Sequence, residues 1–156
     1  MSDFWRVVAV GAAAGAAGTA ALNATTFADM ALRGRPASET PEHTVEKLVE
    51  SSPFDLPGDA DTRRNRIAGL APLLGSVAGT AGGVAAGLAR NSLSVRRFGP
   101  TAGISLAVGM LVGNAPMTLL GITDPRDWSA ADWAADVVPH LAYAAVVAGV
   151  LVATDR

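Results

Sequence analysis

The sequence predicts an all-α integral membrane protein: a bundle of four transmembrane helices, with a short amphipathic helix in the first linker. Three observations predict it. Four apolar segments, at about Val7–Phe27, Ile67–Ala89, Thr101–Leu120 and Ala134–Ala153, each reach the roughly 20 residues that a hydrocarbon core requires. Composition points the same way. Half of the 156 residues are hydrophobic, mean hydropathy is +0.33 and only 17% are charged, below the norm for soluble domains. The third observation is a ladder of glycines, Gly75, Gly79, Gly83 and Gly87, inside the uncharged run Ile67–Ala89. In water each interior glycine costs a helix about 1 kcal/mol against alanine. In lipid the bare stripe lets a second backbone approach and gain dispersion contacts. No period-two alternation is present, so strands are not expected.

A single membrane domain over 1–156 is expected, with helices at about 5–31, 62–90, 99–121 and 130–154 and a polar linker at 33–61. The first helix follows Phe4, Trp5 and Arg6. A cleaved signal peptide is the competing reading; Asp3 in the n-region and the length of the apolar run weigh against it. This helix is Ala/Gly-rich and only weakly lipophilic, so it depends on neighbours. Gly11, Gly15 and Thr19 repeat the four-residue small-residue spacing and supply a packing face.

In the linker, Thr40 is placed to cap a short helix with Pro41 at its first position. Val45, Leu48 and Val49 then form a narrow apolar stripe among Glu42, Glu46, Lys47 and Glu50. Such a helix lies on the bilayer surface or on the bundle, a solvated linker being the alternative. In the third segment Gly109 and Gly113 join the packing set, and Asn114 with Pro116 can open the helix locally. The fourth starts with a capping box, Ser129 and Asp132, so it begins near Ala130. Trp5 marks one membrane interface, and Trp128 with Trp133 marks the other.

The halves also read as two parallel repeats. Aligning Asn23-Ala24 with Asn114-Ala115 pairs Gly18 with Gly109. Aligning Pro72 with Pro139 pairs Gly82 with Gly149. Parallel repeats occur in transporters and relate the halves by an axis along the membrane normal. For orientation, one side carries Arg6, Arg90, Arg96, Arg97 and Arg156, with three arginines in one short loop. Short-loop positive charge marks the cytoplasmic side, so both termini are expected there.

Several function classes are disfavoured. The absence of cysteine removes disulfides, thiolate metal sites and a cysteine nucleophile. A net charge of −2 gives a nucleic-acid partner no electrostatic support. No phosphate-binding glycine loop is present, because Gly75–Gly87 lacks a following Lys-Ser/Thr and a preceding strand. Ser76 and Ser105 have no histidine partner by spacing. Arg63, Arg64 and Arg66 suit lipid headgroups. No catalysis and no cofactor are expected.

The candidate polar site is Asp29, Asn23, Asn114, Asp136 and His140. Asp132, Asp136 and His140 stand four residues apart along one face of the fourth helix, with Tyr143 one position short of the next step. His140 lies roughly 15 Å from the helix start. Ionisable groups at that depth normally face the bundle interior or a wet cavity. The site then serves as a proton relay, or its groups hydrogen-bond Asn23 or Asn114 and hold helices in register, the latter weighing more. Asp29, Asp136 and His140 carry no recognised metal-ligand motif, and no metal site is expected from them.

The run Leu119-Leu120-Gly121-Ile122-Thr123, then Trp128, then Asp136-Val137-Val138-Pro139-His140-Leu141-Ala142-Tyr143, resembles the C-terminal part of YagU-like bacterial inner-membrane proteins. The first segment followed by Arg35-Pro36 and Thr40-Pro41-Glu42 is similar to that family's N-terminal helix and linker. Pro139 departs from the glycine-like residue expected there. The resemblance implies a small multi-helix inner-membrane protein and carries His140 over as a position of interest. The expected function is a helix-packing or accessory subunit of a larger membrane assembly or a homo-oligomer. Its partners are then the lipid bilayer and other membrane helices. The alternative is a small transporter or proton-responsive channel using Asp136 and His140.

Overall fold

The structure is a computed structural model that describes residues 3–53 and 55–155. Among them every regular element is helical: α1 (Asp3–Arg33), α2 (Thr40–Glu50), α3 (Ala60–Ser92), α4 (Phe98–Leu119), a single 3-10 turn (Pro125–Asp127) and α5 (Ala130–Ala153). Helices α1, α3, α4 and α5 are each long and apolar enough to cross a membrane. The chain is therefore read as a multi-pass membrane protein.

The four long helices run up, down, up, down. Helix α1 packs on α3 and α5, and α4 packs on the same two. Every neighbour is thus antiparallel, and α1 and α4 occupy opposite corners. The start of α1 and the end of α5 lie at one end, where an Arg6 Nη1 donates to the Thr154 carbonyl at 3.2 Å. Arg156, counted with the basic residues of this end, lies outside the described residues.

Local chemistry sets the element ends. Asp59 caps α3 by accepting from the Thr62 N–H at 2.8 Å, which holds its carboxyl below the usual carboxylate range. Ser129 and Asp132 form the complete capping box that starts α5 at Ala130. Helix α4 stops in a Schellman turn: the Ile122 N–H bonds the Met117 carbonyl at 2.9 Å, with Gly121 at φ +68, a left-handed angle that glycine adopts without a Cβ penalty. Helix α3 ends the same way with Val95 on Arg90, but Ser94 holds the left-handed position at φ 54.

The linker helix differs from expectation in its cap. Glu39 is the capping residue and makes no side-chain bond; Thr40 is already helical. Its hydroxyl instead accepts from Ser38 Oγ at 3.0 Å, so it is not aimed at the helix N–H groups. Two of the three stripe residues are placed on the bundle, and Leu48 is exposed. Val45 and Val49 pack against Ile67 and Ala71 of α3 and against Leu56.

Small residues decide how closely α1 and α3 approach. A Cβ added to Gly15 would lie 2.6 Å from the Gly79 carbonyl oxygen and 2.9 Å from Thr80 Cα. One added to Gly11 would lie 2.8 Å from Val84 Cα, and one on Gly83 would run into the Gly11 carbonyl and Gly15 Cα. Backbone therefore touches backbone over about two turns, at Gly11 and Gly15 on one side and Gly79 and Gly83 on the other. Gly87 sits at ordinary distance, 3.7 Å from Gly11 Cα. Gly75 is a correction: nothing lies within 4 Å of its added Cβ, because two straight helices that cross touch over a few turns only. The ladder is four rungs long in sequence and shorter in contact.

Candidate functional site

Two polar centres are built inside the bundle, at opposite depths. The first lies between α4 and α5. Asn114 Nδ2 donates to Asp136 Oδ2 at 2.9 Å, which joins the two helices near the 3-10 turn. One turn further on, His140 Nδ1 lies 2.8 Å from the Asp136 backbone carbonyl. A carbonyl only accepts, so the proton of a neutral ring sits on Nδ1. The Asp136 carboxylate stands 3.4 Å from the same nitrogen, with both side chains mostly buried. Nε2 faces α4, where a Cβ on Gly113 would lie 3.1 Å from it. Gly113 therefore makes room for an imidazole rather than for a helix backbone.

Tyr143 stands one turn below His140, on the bundle axis. It is 2% exposed. A Cβ on Gly18 of α1 would lie 2.8 Å from one ring edge, and a Cβ on Gly109 of α4 would lie 3.1 Å from the other. Those two glycines are the pair that the repeat alignment matches. The phenol oxygen crosses the bundle and donates to the Gly79 carbonyl of α3 at 2.7 Å, beside Gly82, whose Cβ would sit 2.9 Å from it. One side chain thus touches all three other long helices. Replacing Tyr143 with phenylalanine removes a hydroxyl bonded from α5 to α3 and is expected to cost about 1 kcal/mol. Comparing thermal unfolding of the two proteins in one detergent checks it, and an unchanged melting temperature would deny the bond any weight.

The remaining predicted site residues are elsewhere. Asp29 is held by arginines that follow it in the chain, with Arg35 Nε at 2.5 Å and Arg33 Nη1 at 3.4 Å. Nearby charge four and six residues on satisfies the carboxylate at the end of α1. Asn23 is exposed on the bundle surface. The two asparagines that the repeat alignment pairs therefore diverge: Asn114 bonds a carboxylate on α5, whereas Asn23 is exposed, and the alignment sets Gly69 of α3 opposite Asp136. No group of three or more His, Cys, Asp or Glu among the described residues is arranged to hold a metal ion.

The second centre is at the terminal end, and sequence reading assigned it to a loop. Arg90 belongs to the last turn of α3 and is only 5% exposed. Its Nε donates to Thr101 Oγ1 of α4 at 3.2 Å. Its Nη1 donates to the Leu151 carbonyl of α5 and to Asp155 Oδ1, each at 3.0 Å, and its Nη2 pairs with Asp155 Oδ2. A bidentate guanidinium–carboxylate pair fixes orientation as well as distance. Hydrogen bonding to Arg90, aided by the charges of Arg90, Arg96 and Arg6 against some desolvation, holds the Asp155 carboxyl below the usual carboxylate range. The sequence signal was there: an arginine closing an otherwise apolar helix, and an acid just past the last one.

Between the two centres the axis is filled. Ala14, Ala86, Tyr143, Val147 and Leu151 form one buried cluster. Compared with family models, with curated proteins and with solved structures, the chain finds no match in any of the three.

Proposed function

We propose that this protein is a membrane subunit that acts by packing: an accessory component of a larger membrane assembly, or one copy of a homo-oligomer, with no reaction of its own. The observation that carries this reading is the filled axis. Ala14 and Val147 are 0% exposed, Tyr143 2% and Leu151 3%, so the space between the helices is occupied by side chains. The outer faces, by contrast, present Leu73, Val77, Leu111 and Leu141 to lipid or to neighbouring helices. Native mass analysis after mild-detergent purification tests it. Co-migrating subunits or a defined multimer are expected, and clean isolation as a lone monomer would end the reading.

One observation favours a second reading, a proton-responsive device. Asp136 and His140 sit within a membrane span at 3.4 Å from each other, where ionisable groups are costly unless used. Proton flux into liposomes decides between them. Flux that falls in His140→Ala and Asp136→Asn supports a relay, whereas equal flux in all three proteins removes it. Placement in a bacterial inner membrane rests on the resemblance to YagU-like proteins. Cytoplasmic termini rest on Arg96 and Arg97 in the short α3–α4 connection.

A further inference from the structure

At the terminal end, α1, α3 and α5 part to leave a cleft of about 270 Å³. Its rim carries Arg6 and Arg96, and its inner side carries the Arg90–Asp155 pair. The three guanidinium groups are not equivalent. Arg90 is neutralised by Asp155 and buried. Among the described residues, Arg6 donates to the Thr154 carbonyl. Arg96 donates to the Val95 carbonyl and the Asn91 side-chain oxygen. These acceptors are uncharged, so two positive charges remain at the mouth of one cleft. Below the rim the wall turns apolar, with Val10 and Leu151, and these residues belong to the membrane-spanning parts of α1 and α5.

We propose that this cleft binds a glycerophosphate group, with the phosphate between Arg6 and Arg96 and the glycerol carbons against Val10 and Leu151. Guanidinium groups bind phosphate oxygens through charge-assisted, often forked hydrogen bonds. A rim at the water boundary over an apolar wall matches a molecule whose charge and carbon lie at different depths. The same chemistry is offered by an acidic glycerophospholipid and by free glycerol phosphate. The Arg90–Asp155 pair positions the walls and leaves the two rim arginines to make the grip. This site is independent of the proton reading, because it shares no residue with the α4–α5 centre.

The full chain in phosphatidylcholine nanodiscs doped with phosphatidylglycerol provides the test, read by native mass spectrometry as retained lipid. Preferential retention of phosphatidylglycerol over phosphatidylcholine is expected. Each basic residue near an anionic headgroup contributes about fivefold, so Arg6→Gln and Arg96→Gln should each lower retention by about fivefold and the double variant by more. Both arginines are exposed, so the variants keep the fold. Arg126→Gln, at the opposite end, should leave retention unchanged. Free glycerol phosphate that displaces the lipid assigns the grip to the phosphate alone; lipid that resists displacement assigns it to the whole headgroup and its carbon chain. Equal retention of the two lipids, no loss in the double variant, or an equal loss in Arg126→Gln would overturn the site.

Discussion

Replacing Gly83 with leucine is expected to separate α1 from α3 and to cost the bundle more than about 3 kcal/mol, at or above the upper end for overpacking. The magnitude follows from what the new side chain would meet. Its Cβ alone would collide with the Gly11 carbonyl and with Gly15 Cα. Backbone cannot rotate aside as a flexible side chain can, so the helices themselves must part. Parting them forfeits the dispersion contacts that hold helices together in lipid, where no hydrophobic driving force replaces them. Gly75→Leu is the matched control. It lies on the same helix in the same four-residue series, with nothing within 4 Å of its added Cβ, and should change stability by less than about 0.5 kcal/mol. Unfolding both in one detergent checks the pair. Equal behaviour would mean that the ladder is compositional and not a contact.

Removing the Arg90 side chain, as Arg90→Ala, is the second large effect, expected at roughly 3 kcal/mol. Breaking a buried pair leaves its partners unpaired, and here those are the Thr101 hydroxyl, the Leu151 carbonyl and Asp155. The Asp155 side chain keeps 30% exposure and can rehydrate, which holds the cost toward the lower end of the range for such pairs. The same geometry gives a pH dependence. The folded Asp155 carboxyl lies below its ordinary value of 3.8. A group lowered on folding adds stability that is fully present above the unfolded value and is lost as pH falls through the folded one. Melting temperature should therefore drop below about pH 4 in the native protein, and Asp155→Asn should flatten that acid limb while lowering the neutral plateau. An acid limb of unchanged slope in Asp155→Asn would assign the loss to other carboxylates.

Much of this architecture was legible in the chain because lipid imposes simple demands. Apolar length marks the four spans, and Ser129 with Asp132 marks the start of α5 through local hydrogen bonding alone. The amphipathic stripe of Val45 and Val49 was visible too, but the sequence left open whether membrane or bundle would receive it; Ile67 and Ala71 do. The chain is least informative where a side chain has a choice of partners, near or distant in sequence. Thr40 looks like a cap, yet Ser38 engages its hydroxyl. Asp29 is expected in one polar site with Asp136 and His140, and the structure pairs it with Arg33 and Arg35. Gly75 continues a periodic series that the crossing of two helices cuts short. Arg90 reads as a loop charge until Asp155, 65 residues later, is seen beside it. By spacing Tyr143 is only the residue out of step; its role emerges from Gly18 and Gly109, which the fold sets on either side of its ring.

The central claim is that these four helices are solvated by lipid, and cysteine accessibility tests it most directly because the chain has no cysteine of its own. Leu73, Val77 and Leu111 are 63%, 66% and 66% exposed on the isolated bundle, so only surrounding hydrocarbon would shield them. In permeabilised proteoliposomes, single cysteines at these positions should resist a charged maleimide, while Ser51→Cys and Asp127→Cys in the connections react readily. Mid-helix cysteines that react as fast as those in the connections would contradict the account.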